Sequence, residues 1–267
     1  MCRHLAYLGP PRRLDDLLLS APHSLLRQSY APADMRGGGT VNADGFGLAW
    51  YPEGSSEPVR YRRTCPMWAD DGLVTLARHT RAGAVLAAVR SATVGMPVLE
   101  TATAPFTAGR WLFSHNGVVP GWPDSVEPLA RTLPVRDLLT LEAPTDSALL
   151  WALVRSRLET GHDPVRALTG IVQDVAALDP RARLNLLLLD GEQIVATAWD
   201  HALAVLAGDD FVAASSEPWD DDPRWRLVPD RHLLSAGLGE HGAEVDIRRL
   251  DEKPQSPEPT AAEGGHG

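Results

Sequence analysis

The chain is poor in cysteine, with two thiols, Cys2 and Cys65, in 267 residues. Two cysteines make neither a disulfide framework nor a zinc constellation, and nine histidines without an H-x-x-x-H pair add no metal spacing. No structural metal and no cofactor are expected. Cationic residues are also outnumbered: 25 Lys and Arg face 35 Asp and Glu, a formal net charge of -10. That balance argues against nucleic acid or an anionic membrane surface as a partner, since both select for basic patches. No run approaches the ~18 apolar residues that cross a bilayer. The first apolar stretch, Leu17-Leu18-Leu19, follows Asp15-Asp16 and lacks the apolar core of a secretory signal. The expectation is a cytoplasmic protein whose thiols stay reduced, acting on a small-molecule or peptide-like substrate, with its oligomeric state open. A hydrophobic content of 44% is enough to build a sizeable core, and no internal repeat divides it.

Cys2 is the residue of most chemical interest. Met1 precedes a small side chain and is of the kind trimmed by methionine aminopeptidase, which would leave Cys2 first in the mature chain. A thiol and a free α-amine then share one residue. Their ordinary pKa values, near ~8.5 and ~7.7 to 8.0, let the amine take the thiol's proton, directly or through a water. Nucleophile and base from one amino acid is the arrangement of N-terminal threonine enzymes. From position alone, Cys2 reads equally as a chance residue on a loose terminus.

Along the chain, Leu5 to Leu8 reads as a short buried strand stopped by Gly9-Pro10-Pro11. Leu14 to Leu19 and Leu25 to Tyr30 read as short helices or loops, and Gly37-Gly38-Gly39 as irregular chain. Asn42 to Tyr51 is a turn running into an apolar strand, its glycines suited either to a nearby ligand or to an ordinary hairpin. Glu57 to Arg63 is a strand, and Cys65, expected to be a small buried residue, opens a connection into a helix through Leu73 and Leu76. Ala84 to Val89 is a core strand that delivers Arg90, and Trp111 to Ser114 a second that delivers His115-Asn116-Gly117. The loop between them, Gly95 to Gly109, is long enough to cover a pocket. Thr145-Asp146-Ser147 precedes an amphipathic helix closed by Gly161, and Pro164 to Leu178 forms another. Strands follow at Leu184 to Leu189, Gln193 to Trp199, Ala202 to Ala207, Phe211 to Ala214 and Val245 to Leu250, read together as a largely antiparallel meander. Residues 215–225 make an acidic, aromatic loop. From Asp251 the composition predicts disorder.

Taken in order, Cys2, the Asn42 to Trp50 turn and strand, Arg90-Ser91-Ala92-Thr93, His115-Asn116-Gly117 and Thr145-Asp146-Ser147 resemble the glutaminase domain of class II amidotransferases, within the N-terminal nucleophile hydrolases. The resemblance spans residues 2–250 as one domain, with 251–267 as a tail. It implies an α+β fold, a four-layer αββα sandwich with mainly antiparallel sheets. It implies Cys2 as the nucleophile on a γ-amide, with the Asn116 side chain and the Gly117 N–H receiving the oxyanion, although Asn-Gly is also a hairpin sequence. Arg90 would clamp the α-carboxylate of the glutamyl group and Asp146 its α-ammonium, with Thr93 and His115 in the same binding site. Asp146 also suits a plain helix cap. His79-Thr80-Arg81-Ala82 copies the arginine motif, but only Arg90 is followed by Ala92-Thr93-Val94-Gly95 as in the family, so Arg81 reads as a surface charge.

Two positions depart from the glutamine-using synthases, Ser91 for Trp and Val94 for His, which implies a wider pocket on that side. The hydrolase layer also consumes the whole ordered chain, leaving none for a synthase. The residues 1–5, 90–99 and 215–223 resemble a branch of the family that serves ergothioneine biosynthesis by removing glutamate from a γ-glutamyl conjugate of a larger, trimethylammonium-bearing amine. On that reading the partner is a small-molecule γ-glutamyl conjugate, and Trp219, Asp220 to Asp222 and Trp225 face its quaternary cation. The same loop reads equally as ordinary surface. Two further readings stand beside this one: a glutaminase subunit feeding ammonia to a separate synthase, and a non-catalytic γ-glutamyl-binding module.

Overall fold

The computed structural model describes residues 2–35 and 41–250. Met1, the Gly37-Gly38-Gly39 run and the 251–267 tail lie outside the described residues. The chain begins in a first sheet with β1 (Arg3–Arg13), β2 (Phe46–Trp50), β3 (Val59–Arg63) and β4 (Arg81–Val89). It enters a second sheet with β5 (Phe106–Ala108), β6 (Trp111–Val118), β7 (Arg183–Leu189) and β8 (Gln193–Ala198). It returns to the first for β9 (Ala204–Ala207), β10 (Val212–Ser215) and β11 (Arg226–Leu227), and ends in the second with β12 (His232–Gly239) and β13 (Gly242–Arg249). The first sheet runs β11-β9-β10-β1-β4-β2-β3 and the second β13-β12-β8-β7-β6-β5. Each pairing among these strands is antiparallel.

The period-two alternation of each strand sorts its side chains between two cores. In β1, Leu5 and Tyr7 pack outward onto α1 (Leu14–Leu18), α2 (Leu25–Gln28) and α3 (Asp71–His79), while Ala6 and Leu8 face the second sheet. In β7, Leu187 and Leu189 face the first sheet, while Leu184, Leu186 and Leu188 pack outward. The helical side of the second sheet holds α4 (Glu127–Ala130), α5 (Val135–Leu139), α6 (Asp146–Glu159) and α7 (Pro164–Leu178). The result is the expected αββα sandwich. Both faces of each sheet are covered, so the central strands read as unbroken apolar runs. The two long helices start on local signals: Thr145 Oγ1 caps the Ala148 N–H at 3.2 Å, and Asp163 caps Val165 and Arg166 ahead of Pro164. No helix of the described residues is long and apolar enough to cross a membrane.

Three expectations need correction. β1 does not stop at Gly9-Pro10-Pro11 but runs to Arg13, because a register shift between Leu8 and Arg12 lets the prolines ride in an exposed bulge. The late strands are not one meander, since β9 and β10 leave the second sheet to pair beside β1. Cys65 is only partly buried, packed at the edge of the first helical core.

Candidate active site

Register places the nucleophile. Arg3 pairs with Val89, so one residue earlier Cys2 comes abreast of Arg90, and the Cys2 thiol reaches the Ser91 carbonyl at 3.9 Å. Arg90 ends β4 and is wrapped by the turn before β2: its N–H donates to the Gly45 carbonyl at 2.8 Å, its carbonyl accepts from the Asp44 N–H at 3.0 Å, and Asp44 Oδ2 accepts from the Ala92 N–H at 2.8 Å. Gly45 takes φ 128°, and a Cβ there would stand 2.7 Å from Thr103 Oγ1, so the turn needs glycine. The Arg90 Nη1 is buried and has no hydrogen-bond partner among the described residues. A buried guanidinium with an unspent donor is costly unless an anion comes to it.

The second sheet supplies the other half. His4, in the pleat between Cys2 and Ala6, reaches across the sandwich from Nδ1 to Ser114 Oγ at 3.1 Å. Two residues along β6, Asn116 is buried, and its Nδ2 donates to Ser216 Oγ at 3.2 Å. The same hydroxyl accepts the His4 N–H at 3.0 Å. The Asn116-Gly117 pair is therefore not a hairpin turn. It lies inside β6, opposite Asn185 and Leu184.

The ladder also orients Gly117. Leu184 turns both its backbone groups toward β8: its N–H donates to the Trp199 carbonyl at 3.0 Å and its carbonyl accepts from Thr197 Oγ1 at 2.6 Å. Hydrogen-bonded and open pairs alternate in an antiparallel ladder, so Gly117 opposite Leu184 turns its N–H and carbonyl away from β7. On that side β5 pairs only with Trp111 to Phe113, and the Gly117 N–H faces no strand. A Cβ at Gly117 would stand 1.9 Å from the Arg183 carbonyl oxygen and 2.5 Å from His115 Nε2, which excludes any other residue without backbone movement.

Asp146 sits in the first turn of α6, the cap itself being Thr145. Its Oδ2 accepts from the Val119 N–H at 3.0 Å and its Oδ1 from the Ser147 N–H at 2.7 Å, so the carboxylate is held at the end of β6. His115 belongs to the opposite pleat from Asn116, on the helical side. Its Nε2 donates to the Arg183 carbonyl at 3.0 Å, and its Nδ1 is hydrogen-bonded with the Ser147 hydroxyl at 3.0 Å. His115 thus braces the turn that carries Asp146. Thr93 is exposed, in the loop after Arg90, and is not brought to the other residues. Trp219 is likewise not at an open surface: it is buried in the first helical core and meets Trp225 edge to face at 4.9 Å.

A cavity of about 500 Å³ adjoins this cluster and is bounded on the catalytic side by Ser216. Its walls are largely apolar and include Trp225, and among their charged side chains Asp34, Glu217, Asp220, Asp221 and Asp222 outnumber Arg27. The Trp225 ring is fixed by its Nε1 donating to Asp220 Oδ1 at 2.8 Å. Arg3 and Glu217 pair at 2.9 Å, Arg3 also donates to the Cys2 carbonyl at 3.1 Å and to the Asp34 carbonyl, and Glu217 accepts the Ala33 N–H at 2.7 Å. Around them two imidazoles stay neutral. His4 is pushed down to about 3, by burial first and then by its neighbours His115, His201 and Arg3, and His201 to about 3, by burial and then by Arg183 and Arg3. Sequence reasoning did not assign a role to Arg3, His4, Ser216 or Glu217 individually. The available signal was their polarity at the ends of the apolar strands β1 and β10.

The family model of class-II glutamine amidotransferases matches residues 25–217. Three curated relatives carry the name gamma-glutamyl-hercynylcysteine sulfoxide hydrolase. The one from Mycolicibacterium smegmatis is 45% identical over 234 residues, 88% of this chain and 95% of that protein. One from Mycobacterium tuberculosis is 42% identical over 88% of this chain and 92% of that protein. Among solved structures, a glutamine aminotransferase class-II domain protein from Silicibacter pomeroyi superposes with a TM-score of 0.66 at 26% identity, over 94% of this chain and 100% of that one.

Proposed function

The chain belongs to the class II glutamine amidotransferases, and on that premise we propose that it hydrolyses the γ-glutamyl amide of γ-glutamyl-hercynylcysteine sulfoxide, a step of ergothioneine biosynthesis. With Met1 removed, the Cys2 α-amine takes the thiol proton and the thiolate attacks the γ-carbonyl carbon. Negative charge gathers on the carbonyl oxygen, where the Asn116 Nδ2–H and the outward-turned Gly117 N–H receive it. As the tetrahedral centre collapses, the C–N bond breaks, the α-ammonium returns its proton to the departing nitrogen, and hercynylcysteine sulfoxide leaves. Water then adds to the Cys2 thioester, passing a proton to the α-amine, and glutamate is released from the regenerated thiol.

The observation that carries this reading is the charge laid out around Cys2. Abreast of Cys2 stands Arg90, whose buried Nη1 has no partner among the described residues and suits an α-carboxylate, and Asp146, held at the end of β6, would take the α-ammonium. Beyond Ser216 lies a carboxylate-lined cavity with an indole wall, suited to a quaternary ammonium. Glutamine would fill the first half and leave the second empty.

The test is glutamate release by purified protein given γ-glutamyl-hercynylcysteine sulfoxide or glutamine. We expect kcat/KM for the conjugate to exceed that for glutamine by at least about 100-fold, or roughly 2.7 kcal/mol of transition-state discrimination. We also expect Cys2→Ala to be inactive and the intact mass to lack Met1. Equal turnover of both substrates, or full activity in protein that retains Met1, would reject the reading.

A further inference from the structure

Of the two oxyanion donors, the Gly117 N–H is fixed by the strand, but the Asn116 amide rides on a side-chain torsion whose wells are broad. Among the described residues this amide makes a single hydrogen bond, from Nδ2 to Ser216 Oγ at 3.2 Å, while its Oδ1 is buried without a partner. Ser216 is itself held on two sides by one residue: its Oγ accepts the His4 N–H at 3.0 Å, and its own N–H donates to the His4 carbonyl at 2.9 Å. His4 lies two residues from the nucleophile on β1, so the hydroxyl links the strand that carries Cys2 to the side chain on the facing sheet. Ser216 is 3% exposed, and nothing about a surface turn requires a serine there.

We propose that Ser216 is a positioning residue for the oxyanion hole. Its hydroxyl oxygen accepts a hydrogen bond from one of the two Nδ2–H groups of Asn116 and thereby points the other at the oxygen that becomes negative. Deleting an oxyanion donor outright costs about 100- to 1,000-fold in kcat, and a donor left free to turn should cost less, on the order of 10-fold. The inference rests on the oxyanion role proposed for Asn116, so it is tested against that residue.

Four proteins are compared on L-γ-glutamyl-p-nitroanilide and on γ-glutamyl-hercynylcysteine sulfoxide: the wild type, Ser216→Ala, Asn116→Ala and the double variant. We expect Ser216→Ala to lower kcat on both substrates by about 10-fold with KM unchanged, to lower the thermal midpoint because the buried His4 N–H loses its acceptor, and to lower kcat no further in the Asn116→Ala background. Ser216→Thr, which keeps the hydroxyl, should restore most of the rate. An equal loss from Ser216→Ala with and without Asn116, or no loss in either, overturns the proposal. Should Ser216→Ala fail to fold, Ser216→Cys, which offers sulfur as a weak acceptor, is judged by the same two outcomes. A wild type that releases no glutamate from either substrate rejects the hydrolase reading instead, and full activity in Asn116→Ala rejects the oxyanion assignment.

Discussion

Arg3 and Glu217, 214 positions apart, form an ion pair at 2.9 Å whose side chains are only 3% and 6% exposed. The pair ties the Cys2 carbonyl, the 33–34 segment and the wall of the acidic cavity into one unit. Removing one member of a buried pair strands the other charge, a loss of about 3–5 kcal/mol. Glu217→Gln should therefore show that destabilisation in denaturant unfolding, together with a lowered kcat. Adding Arg3→Met should return much of the stability, because no buried charge is left over, but not the activity. If Glu217→Gln unfolds like the wild type, the pair does not hold the site together.

Arg90 predicts the opposite split. Its Nη1 has no partner to lose among the described residues, so Arg90→Met should leave the unfolding midpoint unchanged or raised. Binding should suffer instead, since an α-carboxylate in a buried site without its guanidinium loses about 2–5 kcal/mol, a rise in KM of at least 30-fold. Steady-state kinetics beside a thermal melt separates the two. A melt that falls with no change in KM would make Arg90 structural.

The two tryptophans of the acidic loop should part company. Trp219 is buried in the helical core, so Trp219→Ala should cost about 3–5 kcal/mol of stability whatever the substrate. Trp225 lines the cavity and packs on Trp219, so Trp225→Ala should cost less stability than Trp219→Ala while raising KM for a quaternary-ammonium conjugate by about 3- to 10-fold. Glutamine turnover, which does not reach that wall, should be unaffected. Equal loss on both substrates would remove the indole from recognition.

Acid should destabilise the fold before the carboxylates titrate. His4 and His201 are held neutral down to about 3, against 6.5 in an unfolded chain. Between those values the unfolded state binds two protons that the native state refuses, so stability falls as pH falls below 6.5. By pH 5 the loss is about 2 kcal/mol for each imidazole. Urea titrations from pH 7 to 5 should show this slope, and His201→Asn should remove about half of it. A flat profile would mean that these rings take up protons in the folded protein.

Local chemistry was enough for much of the fold. The 3.6-residue spacing of Val165, Leu168, Ile171, Val172 and Val175, with Asp163-Pro164 ahead of it, defines α7 from Pro164 to Leu178 without reference to the rest of the chain. The apolar runs at Ala84 to Val89 and Leu184 to Leu189 likewise announce strands covered on both faces. Asn116-Gly117 shows where such reading ends. By itself the pair prefers a turn, but seven register partners along β7 extend the strand through it. Nor does any short-range rule choose between Trp219 and Trp225, since which ring is buried depends on the helices that pack over the loop. The least legible contacts are those that finish the site. Arg3 with Glu217 and Asn116 with Ser216 are separated by 214 and 100 positions, and a hydrogen bond across such a distance leaves no periodic trace in the chain. The first exists only once β10 has paired beside β1, and the second only once the two sheets have been stacked face to face.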